Sequence, residues 1–330
     1  MPEPKARNEN DLSDENAPAT LNLYSFRHLT VLLGFSREQL LDLSSHAGGY
    51  YEPFIKQQKV RPFARRVQPE KKRLIDNPTG LLKLLQSRIE ARLLARLAMP
   101  EHLLGGVRGQ TVKKNAALHF GAPYIVTVDI KNFFPSITPT QVYSVWRNTL
   151  NCSPEIAEIL TKLTTFRGRL PQGAPTSTLL ANFVLGSIDA PVRAACENHN
   201  VRYSSWVDDL VFSGELARDL TPLVVQVLLE SGFKVRHRKI KVMRPGSKKT
   251  INNLVLGTLI TVENRYLKRI RAGINNLKIG RVPEPGVVKY VMSLDGQINY
   301  VRLFDPRAAA RLQADLQQIR GRRDTISRIP

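Results

Sequence analysis

Asp208 and Asp209 stand side by side in the stretch Arg202-Tyr-Ser-Ser-Trp-Val-Asp-Asp-Leu-Val-Phe-Ser213. Two adjacent carboxylates flanked on both sides by apolar and aromatic residues read as the tip of a β-hairpin. A third carboxylate ends an upstream strand-like run, Tyr124-Ile-Val-Thr-Val-Asp129. Three acids delivered on strand ends suit one chemistry well: two divalent cations held around a phosphoryl group under transfer. Mg²⁺ prefers carboxylate and phosphate oxygens and keeps several waters, so few protein ligands suffice provided that they converge. An Asp-Asp pair alone is common in turns; the strand ending at Asp129 makes this one informative.

The elements that must position these acids are written in the same text. After Asp129 comes Asn132-Phe-Phe-Pro135, then a helix that Thr138 caps, Pro139 begins and Gln141 completes as a capping box. Ser153-Pro154 starts the next helix in the same manner, and Pro175 to Asn198 reads as one long helix rich in Ala and Leu. Past the hairpin, the pattern predicts a helix near 215–231, an alternating strand over Gly232–Val242 and a further strand over Leu254–Val262. Asp305 caps, Pro306 begins and Gly321 ends a C-terminal helix.

Upstream, apolar spacing from Leu21 to Gly49 is helical. Residues 50–79 read as strands that present a dense basic run. Leu81, Leu85, Ile89, Leu93 and Leu97 recur every four residues and predict a helix to Met99 with that stripe buried. Arg88, Arg92 and Arg96 form a ridge beside it, either a solvated basic face or one that contacts a nucleic-acid backbone. Residues 1–20 carry five acids and almost no large apolar side chain, the composition of a disordered tail.

Lys and Arg number 49 against 28 Asp and Glu, a net charge of +21. Such an excess concerns partners and solubility rather than fold, and points to nucleic acid. It peaks between Lys234 and Lys249, where eight basic residues occur with no acid. Two cysteines in no metal-like spacing, Cys152 and Cys196, imply no disulfide framework. No apolar run reaches membrane-spanning length and no signal-peptide pattern is present, so a soluble, cytoplasmic protein without membrane partners is expected. Strands carrying acids, packed on helices, give an α+β class.

Read together, the motifs resemble bacterial reverse transcriptases of the retron type, in order over residues 50–305. Lys71-Lys-Arg-Leu-Ile75 looks like the finger motif that meets the incoming triphosphate. Val128-Asp-Ile-Lys-Asn-Phe-Phe-Pro-Ser136 looks like the first palm motif, and Leu170-Pro-Gln-Gly-Ala-Pro-Thr-Ser177 is the most specific match. Trp206-Val-Asp-Asp209 stands where the family has its aromatic-x-Asp-Asp box. Asn115-Ala-Ala-Leu-His119, after Gly105-Gly-Val-Arg-Gly109, matches an Asn-Ala-x-x-His element of retron enzymes. Leu294-Asp-Gly-Gln-Ile-Asn-Tyr-Val301 looks like the start of the thumb.

The resemblance implies a right-hand polymerase with an antiparallel palm sheet packed on helices. It would comprise N-terminal helices and fingers over 21–123, a palm over 124–285 and a short thumb over 286–330. Two Mg²⁺ ions, or Mn²⁺ in their place, would be held by Asp129 and Asp208. Asp209 would be a weaker participant and the Ile130 carbonyl a further ligand. Lys71 and Arg73 would neutralise the triphosphate of a dNTP, Gln172 and Gly173 would line it, and Phe134 would sit under the sugar and exclude a 2′-hydroxyl. Lys239 would protonate pyrophosphate or act as a plain charge. Trp206 and Val207 would border the primer terminus, and Asn115, His119, Arg236 and Arg238 would contact nucleic acid.

The implied partners are a dedicated noncoding RNA that serves as template and, through a 2′-hydroxyl, as primer, together with the DNA product and a separate antiphage effector protein. The box has Trp206-Val207 where retron enzymes have Tyr-Ala, and Val255-Leu256-Gly257 stands for Val-Thr-Gly. A sister group of defence-associated reverse transcriptases with different priming or a repetitive product therefore stays open. A group II intron-type enzyme and a non-catalytic RNA-binding scaffold are the remaining alternatives. The residues after the thumb motif leave no room for a fused RNase H, endonuclease or effector domain, so none is expected.

Overall fold

The computed structural model describes residues 20–57, 72–282 and 286–326, with side chains described through 319. All of the expected disordered tail except Thr20 lies outside the described residues, as does Lys71. The chain divides into two compact units, one of residues up to 111 with 126–242 and one of 112–125 with the residues from 243 onward. Both mix helix with antiparallel strand pairs, the α+β class that the sequence implies.

The first unit opens with α1 (Phe26–Leu33) and α2 (Arg37–His46). The Ser25 hydroxyl caps α1, and Ser36 with Gln39 forms a capping box on α2. β1 (Tyr51–Gln57) and β2 (Lys72–Pro78) follow as an antiparallel ribbon, with Phe54 opposite Ile75 and Lys56 opposite Arg73. The base of the ribbon is fixed at Asp76, which is 1% exposed. Its carboxylate pairs with Arg169 Nη2 at 3.1 Å and its N–H donates to Gln172 O at 2.9 Å. Nearby, Tyr51 stacks on Phe166 with ring centroids 4.1 Å apart and accepts a hydrogen bond from Gln86 Nε2 at 2.8 Å.

α3 (Gly80–Ile89) continues into a π turn over Glu90–Leu94 and stops there, short of Met99. Leu82, Leu85, Ile89 and Leu93 are buried, but Leu81 is exposed, contrary to the four-residue reading. At 100° per residue, a strict spacing of four drifts about 40° around the helix at each step. Leu81 therefore falls off the edge of the stripe and Leu82 takes its place.

β3 (Ile125–Lys131) leads to α5 (Phe133–Ser136), α6 (Pro139–Ser144) and α7 (Pro154–Thr164); α4 (Val112–Leu118) precedes it and belongs to the second unit. Thr138 and Gln141 form the expected capping box, and Ser153 caps α7. The long helix expected over Pro175–Asn198 is two, α8 (Ser177–Ile188) and α9 (Ala190–Asn198), bent by 62° at Asp189. Pro191 lies in the first turn of α9, where its missing N–H costs nothing, and it cannot continue α8. β4 (Arg202–Trp206) and β5 (Asp209–Ser213) pair with Trp206 opposite Asp209, which leaves Val207 and Asp208 as a two-residue turn.

α10 is shorter than expected, Thr221–Glu230. The expected strand over 232–242 is broken into β6 (Lys234–Val235) and β7 (Lys241–Met243) by a 3-10 turn at His237–Lys239. The resulting five-stranded sheet runs β4-β5-β3-β6, with β7 also on β3. Trp146, Phe212 and Phe233 are the largest fully buried side chains among the described residues.

In the second unit, β8 (Lys249–Ile251), β9 (Leu254–Leu256) and β10 (Ile260–Val262) form a three-stranded sheet. The single strand expected over Leu254–Val262 folds back at Gly257, whose N–H donates to Leu259 O at 3.2 Å. α11 (Asn264–Lys278), α12 (Val287–Arg302) and α13 (Pro306–Ile326) complete the unit. Asp305 caps α13, as expected, but the helix passes through Gly321 rather than ending there. Among the described residues no single helix is long and apolar enough to cross a membrane.

Candidate active site

Asp129 is the next-to-last but one residue of β3, 9% exposed, beside the β4–β5 turn. Val126, Val128 and Ile130 bury one face of that strand, and alternation turns Asp129 to the other. The Ile130 N–H donates to Asp208 O at 2.9 Å, which ties the strand directly to the turn. Val207, first residue of the turn, has φ of 63°. That is a strained conformation for a β-branched residue, and Asp208 and Asp209 follow it immediately. From the far side, the 3-10 turn between β6 and β7 brings two cations onto Asp129: Lys239 Nζ lies 2.6 Å from Oδ2 and Arg236 Nη1 lies 2.9 Å from Oδ1. The break in the strand expected over 232–242 is thus what delivers these charges.

Burial pushes the Asp209 carboxyl up to about 6, helped by the negative charges of Asp208 and Asp129 and opposed by Lys239 and Lys241. Asp208 is likewise raised, chiefly by burial and also by Asp129, while Arg236 and Arg73 pull it down. Among the described residues no three His, Cys, Asp or Glu side chains are already arranged as a metal-binding group. The donor set nevertheless fits a hard divalent cation. It consists of oxygens, chiefly those of three carboxylates, two of which carry charge that burial and their neighbours disfavour. Asp129 Oδ1 is also buried without a hydrogen bond, because the nearby Arg236 guanidinium approaches as a charge but is not aligned to donate.

The ribbon reaches the same site. Ile75 Cγ2 would stand 2.7 Å from a Cβ on Gly173, whose φ of 122° already favours glycine. Arg73, two residues away on the same face of β2, is exposed, and its charge is felt at Asp208. Arg73, Gln172 and Gly173 are therefore assembled around the anchor at Asp76, with Arg73 within electrostatic reach of Asp208.

A sequence model of the family described as reverse transcriptase (RNA-dependent DNA polymerase) matches residues 56–267, more than half of the chain and all three acids. The chain belongs to the reverse transcriptase family. Among its relatives are the Retron Ec86 reverse transcriptase of Escherichia coli, 27% identical over 69% of this chain and 74% of the relative. The Retron Mx65 and Mx162 reverse transcriptases of Myxococcus xanthus are each 28% identical, over 80% and 75% of this chain. These alignments cover 66% and 58% of those two relatives, so the chain spans from somewhat over half to three quarters of the length of these three proteins. The likeness to retron-type enzymes read from the motifs is borne out, and family membership carries RNA-directed DNA polymerase activity and a right-hand polymerase fold.

Other residues of this reverse transcriptase stand differently from the sequence reading. Arg88 and Arg92, read as either a solvated basic face or a contact to a nucleic-acid backbone, are engaged in the fold. Arg88 Nη1 donates to Leu33 O and Gly34 O at 2.7 and 2.9 Å, and Arg92 Nη1 donates to Leu32 O at 2.9 Å. They satisfy the open carbonyls at the C-terminal end of α1 and complement its negative end. Arg96 remains exposed.

Asn115 and His119, also expected on nucleic acid, are fully buried inside the second unit, where Asn115 Nδ2 donates to Asn252 Oδ1 at 2.6 Å. Asn115 thereby braces the β8–β9 turn, whose Asn252 and Asn253 both have positive φ. Arg236 is on Asp129, whereas Arg238 is exposed; Trp206 and Val207 are half-buried. Phe134 is half-buried beside Phe133, with ring centroids 5.9 Å apart. The sequence reading missed the Asp76–Arg169 anchor altogether, since nothing local links two residues so far apart in the chain.

Proposed function

We propose that this reverse transcriptase copies a dedicated noncoding RNA into DNA at Asp129, Asp208 and Asp209, as a retron enzyme that makes RNA-linked single-stranded DNA for antiphage defence. The observation that carries the site is the convergence of the three acids, by way of the Ile130–Asp208 hydrogen bond, with Lys239 and Arg236 directly on Asp129. Asp129 and Asp208 would hold two Mg²⁺ ions, with Asp209 and the Ile130 carbonyl as the additional oxygens; Mn²⁺ would serve in their place. When bound, such ions supply activation of the attacking 3′-oxygen and stabilisation of the leaving pyrophosphate.

The chain's own residues do the remaining work. Arg73, with Lys71 beyond the described residues, neutralises the triphosphate. Gln172 and Gly173 line the nucleotide where glycine permits close backbone approach. Phe134 excludes the ribose 2′-hydroxyl. Lys239 Nζ gives its proton to the leaving pyrophosphate. Fingers over 21–123, palm over 124–285 and thumb over 286–330 are the corresponding domains. The protein works in the cytoplasm with its RNA, dNTPs and a separate effector protein.

The test is to purify the protein from its native locus with its RNA, add labelled dNTPs and Mg²⁺, and sequence the product beside an Asp208→Ala, Asp209→Ala control. A discrete DNA joined to one co-purified RNA supports the reading. Long, repetitive or unlinked DNA replaces it with the sister defence group, to which the Trp206-Val207 departure points. Synthesis that survives in the control removes the assignment of the site.

A further inference from the structure

Behind the catalytic turn lies a segment to which the reaction scheme assigns nothing. Residues 102–104 run along β4 as a parallel edge: Ser205 N donates to His102 O at 2.6 Å and Leu104 N to Ser205 O at 3.0 Å. The chain then passes the turn very closely. A Cβ on Gly105 would stand 2.4 Å from Val207 N, 2.6 Å from Val207 Cγ2 and 3.0 Å from the Trp206 carbonyl carbon. Two of those three atoms are backbone and cannot swing aside. On the other side, a Cβ on Gly106 would stand 2.3 Å from Thr178 Cγ2 of α8. One helical turn further along α8, Asn182 is fully buried and donates its Nδ2 to Gly105 O at 2.8 Å. The two glycines thus fill the gap between α8 and the catalytic turn with bare backbone.

What this backbone touches is the strained residue of the turn. Val207 keeps its φ of 63° only while its surroundings hold it there. One restraint is local, the Ser205 hydroxyl donating to Val207 O at 3.1 Å. Another is the Gly105 peptide pressed against Val207 N.

We infer that Gly105 and Asn182 are positioning residues for Asp208. Asn182 fixes the Gly105 peptide, and that peptide holds Val207 in the left-handed conformation that places Asp208 beside Asp129. α8 starts where the loop bearing Gln172 and Gly173 ends, so one helix sets both the nucleotide-facing loop and the catalytic turn. The inference rests on the reading of Asp208 as a catalytic acid.

The test uses the protein purified with its RNA and measures kcat, KM for dNTP, RNA affinity and melting temperature for Gly105→Ala, Asn182→Ala, the double variant and Asp208→Asn. A displacement of about an ångström in a catalytic group costs on the order of 100-fold in rate. Gly105→Ala should lose about that much in kcat, and Asn182→Ala about 10-fold, with KM and RNA affinity within about 3-fold of wild type. The double variant should lose less than the product of the two, because both act through one contact.

Val207→Gly, which removes Cγ2 and tolerates the left-handed backbone without strain, should restore part of the kcat lost in Gly105→Ala. If Gly105→Ala does not fold, Asn182→Ala and the Gly105→Ala/Val207→Gly pair carry the same test. Folded variants with wild-type kcat, or losses shared equally by kcat, KM and RNA affinity, overturn the inference. Wild-type turnover in Asp208→Asn would instead overturn the reading of the site itself.

Discussion

Replacing Asp209 with Asn should inactivate the enzyme and make it more stable at neutral pH. Burial and the carboxylates of Asp208 and Asp129 hold the Asp209 carboxyl at about 6, against an ordinary 3.8. A folded-state value above the unfolded one means that, between these two values, the folded chain keeps a proton that the unfolded chain has released. The unfolding free energy therefore falls as pH rises through that window. Below it both states are protonated and the cost is absent; above it both are ionised and the cost is complete.

The rise from 3.8 to about 6 corresponds to about 3 kcal/mol, so the variant should gain about 2–3 kcal/mol at about pH 7.5 and almost nothing at about pH 4. Urea melts of both proteins across that range, in buffers free of divalent cations, measure the gain. Added Mg²⁺ should narrow it, because a cation held by the carboxylates stabilises the wild type more than the variant. A variant no more stable than wild type at neutral pH, or one whose advantage is the same at both ends of the range, would refute the argument that burial and the neighbouring carboxylates disfavour the Asp209 charge.

Three further outcomes are expected. Arg88→Ala and Arg92→Ala should each cost about 1–2 kcal/mol in thermal or urea melts through the lost cap on α1, and leave RNA affinity unchanged in filter binding. Arg169→Met should cost about 3–5 kcal/mol, since it strands the buried Asp76 carboxylate; Asp76→Asn in the same background should recover part of that loss. Gly173→Ala forces a Cβ into a left-handed backbone against Ile75, and should raise KM for dNTP about 10-fold while RNA affinity holds, as read by single-nucleotide extension.

Much of the site was legible because its signals are local. The capping box at Thr138 and Gln141, the cap at Ser153 and the hairpin around Asp208 each depend on residues within a few positions of one another. What escaped depends on distant parts of the chain or on phase. The ridge of Arg88 and Arg92 is real, but what it faces is α1, more than fifty residues upstream. Continuous apolar periodicity hid the bend at Asp189, although Pro191 marked it. Alternation over 232–242 read as a strand, because no pattern of residue types announces a 3-10 turn that exists to bring Arg236 and Lys239 to Asp129. Asn115 and His119 stand out by their motif, while their burial, and the hold of Asn115 on the β8–β9 turn, belong to tertiary structure.

The anchor at Asp76 also sets the mechanics of the ribbon. Arg73 lies three residues along β2 from that fixed point, about 10 Å at the rise of an extended strand. A lever pivoted so close to its load is geared down. A rocking of about 10° would carry Arg73 through less than about 2 Å. The cation felt at Asp208 thus rides on a short arm, and rocking of the ribbon about Asp76 leaves the charge that Arg73 presents to Asp208 nearly constant.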